Sequence, residues 1–175
     1  MNRPANLFLD LAAQGLLARA LENAAKKGFP SVEGVVSALR AGDPWAHSLF
    51  RYALAQELCV YLAQLCPSIR RVYLYGSVVD NRAGPASDVD IIVWVRRKLA
   101  ALESLLCQLD ALLLRGYQVL THFRGPPTLF DFHVVDDTEV EEARDYGAVI
   151  RSLWTAPVPL QLPEERTSWK SVCLT

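Results

Sequence analysis

The chain has 175 residues, which suits one domain with a helical extension and is long enough to bury a core. Its hydrophobic fraction of 51% and charged fraction of 21% exclude a disordered chain and fit an ordinary globular protein. A formal net charge of -1 argues against a general nucleic-acid binder, so long RNA or DNA is disfavoured as a partner, although a local basic patch is still allowed.

Leu7, Leu11, Leu17, Ala20, Leu21 and Ala24 recur at helical spacing, and Gly28 with Pro30 closes the run, so the pattern predicts a helix over residues 5–27. Asp10, Gln14 and Arg19 interrupt this stretch, which therefore lacks the continuous apolar core of a signal peptide. No stretch reaches 18 uninterrupted apolar residues, so no membrane span is expected and the expected location is the cytoplasm. Ser31 can cap a second helix carrying Val32, Val35, Val36 and Leu39. Asp43 before Pro44 is a strong helix start: the carboxylate accepts the orphan amides, and proline takes the first position without losing a needed donor. This third helix is expected to run to about Leu65, ahead of Pro67.

The period then changes. Residues 71–75 and 88–95 are short, aromatic and β-branched, which predicts two strands. Leu99, Leu102, Leu106, Leu109 and Leu113 form an amphipathic helix expected to end at Gly116 as a left-handed cap. Residues 117–122 and 129–135 read as two further strands, joined by a turn at Arg124-Gly125-Pro126-Pro127. Asp136 or Asp137 can cap a last helix through about Leu153, and prolines 157, 159 and 163 forbid a regular element beyond Thr155, leaving an irregular tail or an extended arm. The fold class is therefore α+β, with N-terminal helices followed by a small mixed β-sheet flanked by helices. Trp45, Tyr52 and Trp94 are expected in the core, and Arg96-Arg97-Lys98 as a solvated helix start. Cys59, Cys66, Cys107 and Cys173 lack metal-site spacing and are expected to be reduced and mostly buried.

The chemistry concentrates in two places. Successive strand residues point to opposite faces, so Asp88 and Asp90 project together while Val89 and Ile91 face the core. Paired carboxylates repel unless a cation lies between them, and oxygen-only donors favour magnesium or manganese over zinc. Asp131, flanked by Phe130 and Phe132, is a third carboxylate in an otherwise buried strand; should the two strands be neighbours, three aspartates converge on a site for two divalent ions about 3.5 to 4 Å apart. His133, two residues on, is expected to be a satisfied or exposed histidine. Upstream, Gly76 lets the backbone approach a phosphate, the Ser77 hydroxyl can donate to it, and amides of a following short helix would point at the anion.

Gly76-Ser77, ten intervening residues and then Asp88-Val89-Asp90 resemble the signature of the DNA polymerase beta superfamily of nucleotidyltransferases. Its minimal nucleotidyltransferases show a similar loop length and a serine just before the first aspartate, as Ser87 is here. The resemblance covers residues 45–135 and implies that Asp88 and Asp90 bind both magnesium ions. It also implies that Asp131 is the third carboxylate, helping to activate the acceptor hydroxyl, and that Gly76 and Ser77, with Ser87, hold the nucleotide. On this reading residues 1–42 are a helical extension, 43–154 the nucleotidyltransferase domain and 155–175 a Pro-rich tail.

The implied reaction moves a nucleoside monophosphate from a triphosphate such as ATP to a hydroxyl of a small molecule or a protein, the latter including the helical toxin partner of an antitoxin. One departure stands out: the family often continues from Gly-Ser as x-A-R-G, whereas this chain reads Val78-Val79-Asp80-Asn81, which removes a positive charge and adds a negative one, with Arg82 nearby to compensate. Two alternatives stay open. One is a non-catalytic, antitoxin-like interaction protein on the same fold; the other is a metal-dependent glycosyltransferase, which leaves Gly76-Ser77 unexplained.

Overall fold

The computed structural model describes residues 3–152 and 156–163. Three helices lead: α1 (Arg3–Gly28), α2 (Val32–Arg40) and α3 (Pro44–Leu65). Their starts follow local chemistry, since Ser31 Oγ accepts from the Gly34 amide at 3.2 Å and Asp43 Oδ1 from the Trp45 amide at 2.8 Å. α3 runs through the middle of the molecule, burying Phe50, Leu54, Leu58 and Leu62 together with the polar His47, Ser48 and Arg51.

The sheet contains β1 (Ile69–Tyr75), β2 (Val89–Val95), β3 (Phe130–Val135) and β4 (Val158–Pro159) in the order β3-β2-β1-β4. β1 pairs antiparallel with β2 and β4, and β2 pairs parallel with β3 through the crossover helix α4 (Ala100–Thr121). One face, with Val72, Leu74, Val89, Ile91, Val93 and Phe130, joins the main core against the helices. The other face carries Tyr73, Ile92 and Val135, and is covered by Val140 of α5 (Asp137–Glu141) and by Val149 and Ile150 of α6 (Asp145–Ile150). The fold class is α+β with a small mixed sheet, as expected.

Several local expectations are corrected. α4 does not end at Gly116; it continues to Thr121, so the strand expected at 117–122 is helical. Gly116 is needed for packing, because a Cβ there would run into Leu17 Cδ1 of α1, and Tyr117 and Thr121 prolong the buried stripe of Leu106, Leu109 and Leu113. The left-handed cap falls instead on His122, at φ 64°. The last helix is split in two, with Ala143 (φ 51°) and Asp145 (φ 46°) left-handed at the break; its expected end at Leu153 lies outside the described residues. β4 forms despite the prolines because it is a sheet edge, where Pro159 opposes Tyr73 and the Leu160 amide donates to Val72 O at 2.9 Å.

Trp45 is 46% exposed and Tyr52 and Trp94 are half-buried, so none of the three is a fully buried core aromatic. Cys59 is buried, Cys66 half-buried and Cys107 exposed, while Cys173 lies outside the described residues.

Candidate active site

β1 ends at Tyr75, and the chain turns at Gly76 (φ 76°) into a short 3-10 turn, Gly76–Val78. A Cβ at Gly76 would collide with Asp90 Oδ2, so the glycine is required by its backbone angle and by the carboxylate pressed against it. Ser77 is half-buried beside it. Ser87 Oγ accepts from the Gly84 amide at 2.9 Å, closing the turn that delivers Asp88. The serine that the motif assigns to the nucleotide is thus held in its own loop.

Asp90 and Asp131 are register partners across the parallel β2–β3 pair, and Asp88 lies one residue before β2 on the same side. The three carboxylates are half-buried, and an oxygen from each lies within 4.8 Å of the others. Burial, followed by the charges of Asp88 and Asp131, raises the pKa of Asp90 above the ordinary aspartate range. A half-buried, oxygen-only set of mutually repelling carboxylates fits a hard divalent cation.

An aromatic group borders the triad. His133 Nε2 lies 3.1 Å from Asp131 Oδ2, and its ring stacks on Tyr146 at 3.5 Å between centroids, with Tyr75 6.2 Å away. The His133 side chain is only 16% exposed, so it flanks the site more closely than a surface residue would. Burial and then Asp90 push the Tyr75 hydroxyl pKa well above that of an ordinary phenol, keeping it a neutral hydrogen-bonding group. Tyr146 belongs to no motif and nothing in the sequence marks it; it arrives because the last helix breaks and folds back over the sheet.

On the loop, Arg82 Nη2 pairs with Asp80 Oδ2, and both side chains are largely exposed. The compensating arginine is therefore turned onto the residue whose charge it was to offset. Arg96 and Arg97 are exposed at the far end of β2 from the triad, and Lys98 Nζ bridges to Glu139 at 2.7 Å, consistent with a solvated segment.

No described helix is long and apolar enough to cross a membrane. Comparison with curated proteins and with solved structures gives no significant match. Residues 56–142 match the family model described as Polymerase beta, Nucleotidyltransferase. That stretch spans the glycine-serine turn and every carboxylate of the triad, and the chain belongs to the DNA polymerase beta superfamily of nucleotidyltransferases, in its minimal form.

Proposed function

We propose that the protein transfers a nucleoside monophosphate from a nucleoside triphosphate to an acceptor hydroxyl. The observation that carries this reading is the convergence of Asp88, Asp90 and Asp131 beside the Gly76–Ser77 turn, with carboxylate oxygens within 4.8 Å of one another. Asp88, Asp90 and Asp131 would hold magnesium, or manganese, which when bound supplies charge neutralisation on the phosphates and acidifies the acceptor hydroxyl. Gly76 and Ser77 face the triphosphate with backbone amide and hydroxyl donors. The acceptor oxygen bonds to the α-phosphorus, the bond to pyrophosphate breaks, and the hydroxyl proton passes to a carboxylate, a role this reading gives to Asp131. Positioning and electrostatics lower the barrier without a covalent enzyme intermediate.

A cleft of about 340 Å³ lies between α4 and the free edge of β3, lined by Cys107, Asp110, Phe132 and Val134, and reaches Asp131 from the sheet face opposite the other two carboxylates. The near-neutral charge of the chain favours a small molecule or a protein side chain, including that of a helical toxin partner, over a long nucleic acid.

Incubation of the full chain with labelled triphosphates, magnesium and a cell lysate tests the reading. Labelling of a discrete acceptor is expected, with a loss of at least about a hundredfold in the Asp88→Asn, Asp90→Asn double variant. Undiminished transfer by that variant would refute it.

A further inference from the structure

Asp90 and Asp131 are held by strand register, but Asp88 precedes β2 and its position depends on the loop before it. That loop is gripped from behind by a buried polar cluster. Arg51 of α3 is fully buried; its Nη1 donates to Gly84 O at 2.6 Å, and its Nη2 to Pro85 O at 3.2 Å and to the Tyr117 hydroxyl at 3.0 Å. Tyr117 OH lies 3.0 Å from His47 Nδ1, and His47 Nε2 lies 3.0 Å from Leu39 O. The directions follow from one fact: a carbonyl only accepts. His47 therefore donates from Nε2, leaving Nδ1 as an acceptor facing the Tyr117 hydroxyl; the Tyr117 oxygen accepts from Arg51, and its one proton is shared between His47 Nδ1 and Pro85 O, 3.2 Å away. Ser48 Oγ adds a bond from the Ala83 amide at 3.1 Å.

None of Arg51's hydrogen bonds goes to a carboxylate, and its acceptors are loop carbonyls and a phenol. Burying a cation carries a desolvation cost that apolar packing of similar volume avoids, so a buried arginine here is weak evidence for core stabilisation. What the cation does is hold the carbonyls of Gly84 and Pro85, at the start of the turn over residues 84–87 that leads into Asp88.

We propose that Arg51, Tyr117 and His47 are positioning residues that set the loop before β2 and thereby place Asp88 in the carboxylate triad. This rests on the reading of the triad as a cation site.

The test uses the full-length chain as wild type, Tyr117→Phe, Arg51→Lys and Asp88→Asn, with two readouts: hydrogen exchange of amides 79–88, and calorimetric titration with Mn2+ alone. Tyr117→Phe, which keeps the ring, and Arg51→Lys, which keeps the charge, are each expected to speed exchange in 79–88 by about tenfold, leave β1 and β2 protected, and weaken Mn2+ binding severalfold. Unchanged loop exchange overturns the proposal, as does acceleration spread evenly over the core, or a loosened loop with wild-type Mn2+ affinity. Should Arg51→Lys fail to fold, the isosteric Tyr117→Phe carries the test. If the wild type binds no Mn2+, or Asp88→Asn binds it as the wild type does, the cation-site reading fails separately, and the proposal falls with it as a statement about the triad.

Discussion

The strand-borne carboxylates and the loop-borne one are held by different physics. Asp90 and Asp131 sit opposite each other in a parallel ladder, where the backbone fixes both position and side-chain direction. Asp88 has no such partner and depends on long side chains reaching 33 to 34 residues across the sequence, from Arg51 to the carbonyls of Gly84 and Pro85. A ladder distributes its hold over many bonds, whereas a buried polar cluster concentrates it in a few, so single substitutions behind the loop should disturb the site more than those behind the strand.

The most damaging change that tests this contrast is Gly76→Ala. It puts a side chain into Asp90 and forces a left-handed backbone angle on alanine, at a cost of about 1–3 kcal/mol for the angle alone. Denaturant unfolding should show at least that loss, and Mn2+ binding should vanish with it.

Asp110→Ala comes next. Asp110 Oδ1 accepts from the Phe130 amide at 2.8 Å, beside Asp131, and burial raises the pKa of this carboxylate. Removing it leaves a buried donor unsatisfied, at about 1–3 kcal/mol of stability, yet the ladder should keep Asp131 in place and Mn2+ affinity within twofold or so of wild type. A severalfold loss of affinity would erase the distinction between ladder and cluster.

Acid should act on the cluster. Burial first, and then the charge of Arg51, lower the pKa of His47 from 6.5 to about 4, with the Leu39 carbonyl and Asp43 opposing. The unfolded chain therefore binds a proton in that window that the folded chain refuses, so this contribution is complete above about pH 6.5 and is lost as pH falls towards 4. Thermal melts of the wild type should fall over that range more steeply than those of His47→Gln.

The smallest effect is expected at the surface. Asp80→Asn breaks an exposed pair with Arg82 worth at most about 1 kcal/mol, so stability should hardly change. Freeing Arg82 should tighten triphosphate binding by about twofold to fivefold at low salt, readable by calorimetry. Weaker binding would mean that Asp80 itself serves the nucleotide.

What was legible in the sequence is what local chemistry decides. Ser31, Asp43 and Pro44 set two helix starts through bonds within a single turn, and the alternation around Asp88, Asp90 and Asp131 placed three carboxylates on one side of two strands. The misreadings have a tertiary cause. Gly116 looks like a helix end, yet it is dictated by Leu17, about a hundred residues earlier, and the β-leaning residues after it are helical because Tyr117 and Thr121 extend a buried stripe. Arg51 passes unnoticed because an arginine within a helix normally reaches solvent; only the folded loop shows carbonyls waiting for it. Tyr146 and His133 meet through a helix break that no periodicity announces.

The family match begins at Gln56, midway along α3. A fragment trimmed to that boundary would keep Gly76, Ser77 and all three aspartates while discarding His47, Ser48 and Arg51, together with the α1 surface against which Gly116 packs. Such a fragment would retain the whole signature and lose its footing. Where the signature is used to choose the ends of a recombinant protein, the safe start lies before α1.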